Sequence, residues 1–140
     1  MTHKIIKREL FSSHVLKLEI EAPRIAKARK AGHFVMVRAD RKGERIPLTI
    51  AGANLEKGTI TLVIQKVGVT SAKLFELKEG DSIADMVGPL GKATDVSHKG
   101  TILAAGGGVG VAPLLPIIEA MKKAGNRVVT IIAARTKDLI

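Results

Sequence analysis

The 140-residue sequence has no cysteine, no tryptophan, no tyrosine and only three phenylalanines. Without cysteine there can be no disulfide, thiolate metal site or cysteine nucleophile, and nothing calls for an oxidising compartment, so a cytoplasmic setting is the default. The near absence of aromatics removes the stacking platform of a single-strand nucleic-acid binder. Long apolar runs are also missing. The longest uncharged stretch, residues 101 to 118, holds four glycines and two prolines, which fits a strand, turn and helix better than a membrane span. The N-terminal "MTHKIIKREL" alternates charged and aliphatic residues and has no signal-peptide core. Acidic residues are scarce, 13 against 23 Lys plus Arg, for a net charge of +10. Such a balance attracts anions, whether phosphorylated ligands, acidic proteins or nucleic acid. The basic residues are scattered through "KIIKREL", "RIAKARK", "RADRKGER" and "MKK", which disfavours nucleic acid. His3, His14, His33 and His98 are equally scattered and show no metal-ligand spacing.

Up to about residue 98 the apolar period is two. "KIIKREL", "HVLKLEIEA", "HFVMVRA" and "TITLVIQKV", with segments near 46 to 52 and 81 to 87, read as six strands. "SSH", "RKGE", "LEKG" and "KEGD" are the turns between them. Six short strands at this spacing favour a closed or nearly closed barrel. "TSAKLFELK", residues 70 to 78, reads as a short helix with Thr70 or Ser71 as cap. From residue 99 a strand "TILAA", a glycine turn, a helix near 112 to 124 and a strand "RVVTIIAA" form one βαβ unit. Pro113 suits the first helical position, and Gly125 the left-handed position after the last turn. Leu114, Ile117, Ile118 and Met121 make the helix's apolar stripe.

The turn "GGGVGVAP" joins strand to helix at residues 106 to 113. Unpaired N–H groups at a helix start, together with the helix dipole, receive phosphate well, and glycines clear the approach. The turn departs from GxGxxG, because Val111 or Pro113 stands where the last small residue is needed, and no Gly-Lys-Ser/Thr is present. Nor does an acidic residue end the second strand, where Arg135 stands instead. A ligand-free tight turn is the competing interpretation.

Together "RIPLT" (45 to 49), "VGVTSAKL" (67 to 74), "VGPLG" (87 to 91) and "GGGVGVAP" resemble the ferredoxin-NADP reductase family, and within it the flavin-carrying electron-transfer subunits. The resemblance spans the whole chain and implies an all-β, six-stranded antiparallel Greek-key barrel with one short helix. Residues 1–98 would be this FAD-binding barrel, and 99–140 the first βαβ unit of an incomplete NAD(P)-binding α/β domain. By the same resemblance Arg45 would reach the FAD pyrophosphate, Thr49 would contact the flavin ring, and Pro47 and Leu48 would shape the loop between. Leu48 departs from the aromatic residue of plant-type members, so aliphatic packing replaces stacking. Gly68, Thr70 and Ser71 would form the second pyrophosphate contact; for Ser71 alone, a plain N-cap is the alternative. Ile64, Gln65 and Lys66 would line the strand beside flavin or adenosine. Gly106, Gly107, Gly108, Val109, Gly110 and Pro113 would hold the NAD(P)H diphosphate, and Arg135 would attract a 2′-phosphate.

No side chain is expected as a catalytic acid or base, because hydride transfer between nicotinamide and flavin needs alignment of two rings. Ala31 and His33 depart from the family's usual Pro-Gly-Gln-Phe, and His33 reads as a barrel-rim residue. Family members continue for roughly another hundred residues with a cysteine cluster for a [2Fe-2S] centre, so the chain reads as truncated and that centre belongs to the missing part. The implied partners are a larger oxidoreductase subunit, ferredoxin, or both. The alternative is a non-enzymatic basic β-barrel that binds RNA or an acidic protein.

Overall fold

The computed structural model describes residues 2–140. Its first seven strands form one antiparallel sheet: β1 (His3–Ser12), β2 (Val15–Glu21), β3 (Phe34–Arg38), β4 (Ile46–Asn54), β5 (Thr59–Gln65), β6 (Ser82–Ile83) and β7 (Asp85–Leu90). The spatial order is β6-β1-β2-β5-β4-β3-β7. β3, β4 and β5 are neighbours in sequence and space, while β2 returns to lie beside β5, which is Greek-key topology. β6 and β7 follow one another with only Ala84 between, yet they sit at opposite ends of the order. The expected sixth strand is thus split in two, and its halves pair with β1 and β3 to leave the barrel nearly closed. Six expected strands become seven for that reason.

Alternation dictates the core. Leu16, Leu18 and Ile20 of β2 stand directly opposite Ile64, Leu62 and Ile60 of β5, and all six are fully buried. Each such side chain contributes about 1.5–3 kcal/mol through burial. Val35 and Val37 are fully buried as well, while Phe34, Met36 and Arg38 on the other face of β3 remain partly exposed.

Two helices accompany the barrel where one is expected from sequence. The additional α1 (Pro23–Ala28) begins on proline and buries Ile25 and Ala26; at six residues it is too short to show a helical period. The expected short helix is α2 (Val69–Glu76). Arg8 of β1 closes its C-terminal end, with Nε donating to the Leu77 carbonyl at 2.9 Å and Nη2 to the Phe75 carbonyl at 2.7 Å. A cation at that end also opposes the helix dipole favourably.

Beyond the barrel, β8 (Thr101–Gly107) and β9 (Arg127–Ala133) pair in parallel and are joined through α3 (Val111–Lys123). A single 3-10 turn, Gly108–Gly110, starts the crossover. Because that turn leads straight into α3, the helix begins at Val111, and Pro113 occupies its third position rather than its first. The missing N–H still costs nothing there, since the first four helical amides have no acceptor within the helix. Of the expected stripe only Met121 is buried, and it is accompanied by Pro116; Leu114, Ile117 and Ile118 are half-buried. Gly125 has φ +89° as expected. Asn126 binds the unit to the barrel's exit segment: its Oδ1 accepts from the amides of Lys99 (2.6 Å) and Gly100 (2.9 Å), and its Nδ2 donates to the carbonyls of Ser97 (3.1 Å) and Met121 (3.0 Å).

Candidate functional site

Arg45 precedes β4, and its side chain is about half exposed (48%). Its Nε and Nη2 both donate to Oδ2 of Asp85, at 3.1 and 2.5 Å. The guanidinium beside Asp85 holds that carboxyl below the ordinary carboxylate range. The loop that carries Arg45 is fastened to α2 at two points. Thr70 Oγ1 donates to the Glu44 carbonyl at 3.3 Å, and Lys73 Nζ pairs with Asp40 at 2.8 Å. Lys73 lowers the Asp40 pKa in turn. Arg45 and the N-terminal end of α2, 24 residues apart in sequence, therefore share one end of the barrel.

Ser71 is buried, and its hydroxyl is engaged by the backbone: it accepts from the amides of Val67 and Gly68, both at 2.9 Å, and donates to the Gly68 carbonyl at 3.0 Å. Ser71 thus shapes the turn, while the first-turn amides of α2 have no acceptor within the helix. Gly68 is extended, with φ −161°, and a methyl group added there would meet nothing within 4 Å. Neither backbone conformation nor packing requires glycine at this position, and the approach to the helix start is open.

The second glycine turn divides in the same way. Gly108 has φ +56°, which only glycine adopts readily. Gly106 lets α3 approach β8, since an added Cβ would lie 3.0 Å from Leu114 and 3.3 Å from Val111. At Gly107 an added Cβ would make only ordinary contact, 3.8 Å from the Ala133 carbonyl, and at Gly110 it would meet nothing within 4 Å. These two keep a surface clear without any structural need for glycine.

The two halves meet. Pro47, Leu48 and Thr49 of β4 and Val63 of β5 line one side of a cleft of about 210 Å³, and Val109, Gly110, Ala112 and Pro113 line the other. Leu48 packs partly against the barrel core, so the barrel wall of the cleft is aliphatic. Arg135 lies two residues beyond β9, whose last residue Ala133 is in register with Gly107; it is therefore at the same end of the strand pair as the glycine turn. Gln65 and Lys66 are exposed, with Lys66 Nζ 5.7 Å from the centre of the Phe75 ring.

Ile64 faces away from the cleft. Its side chain is fully buried in the barrel core, because strand alternation turns Ile60, Leu62 and Ile64 inward together and leaves Val63 and Gln65 outside. Val63, which the sequence does not single out, is the β5 residue that reaches the cleft; strict alternation from Ile64 would have identified it. Asp85 is likewise missing from the sequence-based site, since nothing local connects it to Arg45. Another cleft, of about 280 Å³ and lined by His3, Arg24 and Met86 among others, contains none of the expected residues. Among the described residues no group of His, Cys, Asp and Glu is placed to hold a metal ion, and no helix is long and apolar enough to cross a membrane.

This geometry has close relatives. The electron transfer subunit homolog of dihydroorotate dehydrogenase B (NAD(+)) from Thermotoga maritima is 43% identical over 99% of this chain and 49% of its own length. An uncharacterized protein in the adh 3′ region of Clostridium beijerinckii is 41% identical over 99% of this chain and 49% of its own. A chain of NADH-dependent reduced ferredoxin-NADP oxidoreductase, solved for insight into flavin-based electron bifurcation, superposes with a TM-score of 0.96 at 43% identity, covering all of this chain and 51% of that one. Phthalate dioxygenase reductase shares the fold, with a TM-score of 0.79 at 21% identity over 99% of this chain and 45% of its own. The chain spans about half the length of the curated relatives it matches. Residues 2–94 match the oxidoreductase FAD-binding domain family, and the chain belongs to it.

Proposed function

We propose that this chain is the FAD-binding part of an electron-transfer subunit in an NAD(P)H-dependent oxidoreductase. The observation that carries the reading is the cleft in which Pro47, Leu48 and Thr49 face Val109, Gly110 and Pro113. Flavin and nicotinamide would meet there. Bound FAD supplies the chemistry, taking two electrons as hydride from NAD(P)H and releasing them one at a time.

The residues of the chain bind and align. Arg45 and the first-turn amides of α2 at Thr70 and Ser71 hold the FAD diphosphate, and Gly68 leaves their approach open. Leu48 and Pro47 give the flavin ring an aliphatic seat, Thr49 supplies a hydroxyl beside it, and Val63, Gln65 and Lys66 border the strand edge. Gly107 and Gly110 leave room for the NAD(P)H diphosphate at the start of α3, while Gly106 and Gly108 give that turn its shape. With 1–98 as the flavin part and 99–140 as the beginning of the nucleotide part, the barrel supplies one wall of the cleft and the βαβ unit the other. Electrons would leave toward an iron-sulfur centre or ferredoxin through a larger partner subunit, in a cytoplasmic complex. Membership of an FAD-binding family favours this reading over a non-enzymatic basic module.

The test is direct. The purified chain should bind FAD, quenching its fluorescence and carrying a flavin band near ~450 nm, and NADH or NADPH should bleach that band in the full-length protein. A folded chain that leaves added FAD fluorescent and gains no thermal stability from it would refute the proposal.

A further inference from the structure

Three charged residues stand side by side, on β7, on β3 and just before β4. Arg38 of β3 is in register with Asp85 of β7, and Val37 facing Ile46 brings Arg45 level with Arg38 on the other flank. Both guanidinium groups turn to one oxygen, Oδ2 of Asp85: Arg45 through Nε and Nη2 at 3.1 and 2.5 Å, and Arg38 through Nη2 at 3.9 Å. Arg38 Nε is buried without a partner among the described residues. Without an anion between them, two guanidinium groups this close would repel one another. The carboxylate also engages a particular part of Arg45. It occupies the Nε side of the guanidinium, leaving Nη1 and the remaining Nη2 hydrogen free on a side chain that is half exposed. That outer pair of nitrogens is suited to two-point contact with phosphate oxygens.

We propose that Asp85 is a positioning residue for the FAD diphosphate: by bridging Arg38 and Arg45 it fixes the Arg45 guanidinium with its outer nitrogens toward the ligand. The proposal rests on the assignment of Arg45 to the FAD diphosphate. Asp85 itself touches no ligand. Its negative charge would oppose an anion if it acted alone, so its value lies in orienting Arg45 before binding.

The experiment is a double-mutant cycle on the 140-residue chain, with FAD and riboflavin as probes and folding followed by circular dichroism. Asp85→Asn should weaken FAD about tenfold through lost preorganisation, leave riboflavin, which has no phosphate, unchanged, and have no further effect in an Arg45→Ala background. Asp85→Glu, which keeps the carboxylate, should recover most of the affinity. Unchanged or tighter FAD binding by Asp85→Asn would overturn the proposal, as would an equal loss in the Arg45→Ala background. If Asp85→Asn and Asp85→Ser both fail to fold while Arg45→Ala folds, Asp85 serves the barrel and the proposal falls. If Arg45→Ala itself leaves FAD affinity intact, the assignment of Arg45 is what fails.

Discussion

The hydroxyl of Thr70 donates a hydrogen bond to the carbonyl of Glu44 across 3.3 Å, joining the first turn of α2 to the residue before Arg45. Two motifs far apart in sequence thus share one end of the barrel. Thr70→Val keeps the shape and removes the bond. It should cost about 1 kcal/mol of stability and weaken FAD severalfold, as read by denaturant unfolding and flavin fluorescence. An unaltered FAD affinity would show that the tether does not serve the site.

Glycines in the 106–110 turn should separate by role. Gly108→Ala forces alanine into φ +56° and should destabilise the chain by about 1–2 kcal/mol. Gly110→Ala meets nothing within 4 Å and should be neutral or stabilising by a few tenths of a kcal/mol to about 1. In the full-length protein, however, Gly110→Ala should slow flavin reduction by NAD(P)H at limiting nucleotide. Thermal melts and stopped-flow bleaching measure the two effects independently.

Asn126 is buried with both ends of its amide occupied. Asn126→Ala strips acceptors and donors from the 97–100 segment and the end of α3, and should cost about 2–3 kcal/mol. The loss should appear as faster proteolysis between residues 95 and 101 and as earlier melting of the βαβ unit, with the barrel amides still protected in hydrogen exchange.

Asp95 accepts a hydrogen bond from the Ser97 amide at 3.0 Å and pairs with Lys99 Nζ at 3.3 Å. These contacts lower its pKa from 3.8 to about 2. A pKa lower in the folded than in the unfolded chain means that the ionised carboxylate favours folding. The contribution is complete above about pH 4–5 and disappears as pH falls toward about 2. Asp40 and Asp85, lowered by Lys73 and Arg45 respectively, act in the same direction. Melting temperature should be flat from neutrality to about pH 5 and fall below pH 4, with a shallower fall in Asp95→Asn.

Arg135→Ala in the full-length protein should raise KM for NADPH about tenfold through loss of a charge-assisted phosphate contact, with KM for NADH unchanged. Equal effects on both nucleotides, or none, would remove Arg135 from the site.

The barrel strands were legible because burying one face of a strand imposes a period of two, and Leu16, Leu18, Ile20, Ile60, Leu62 and Ile64 follow it without exception. The crossover helix was legible from its glycine and proline punctuation. α1 was not, since six residues carry too little periodicity, and neither was the break at Ala84, which comes from one strand having to pair at both edges of a closing sheet. The run Ile64 to Lys66 reads as one lining segment in sequence, but neighbours on a strand face opposite ways, so the Ile64 side chain belongs to the core. By itself, then, the sequence determined the strands, the two glycine turns and the anion-seeking charge of the chain, because these follow from local geometry and composition. Tertiary structure decided which of those pieces meet. Asp85 reaches Arg45 across β3, Thr70 reaches Glu44 across a loop, and Pro47 to Thr49 come to face Val109 to Pro113, because barrel closure and the docking of α3 set distances that no spacing along the chain encodes.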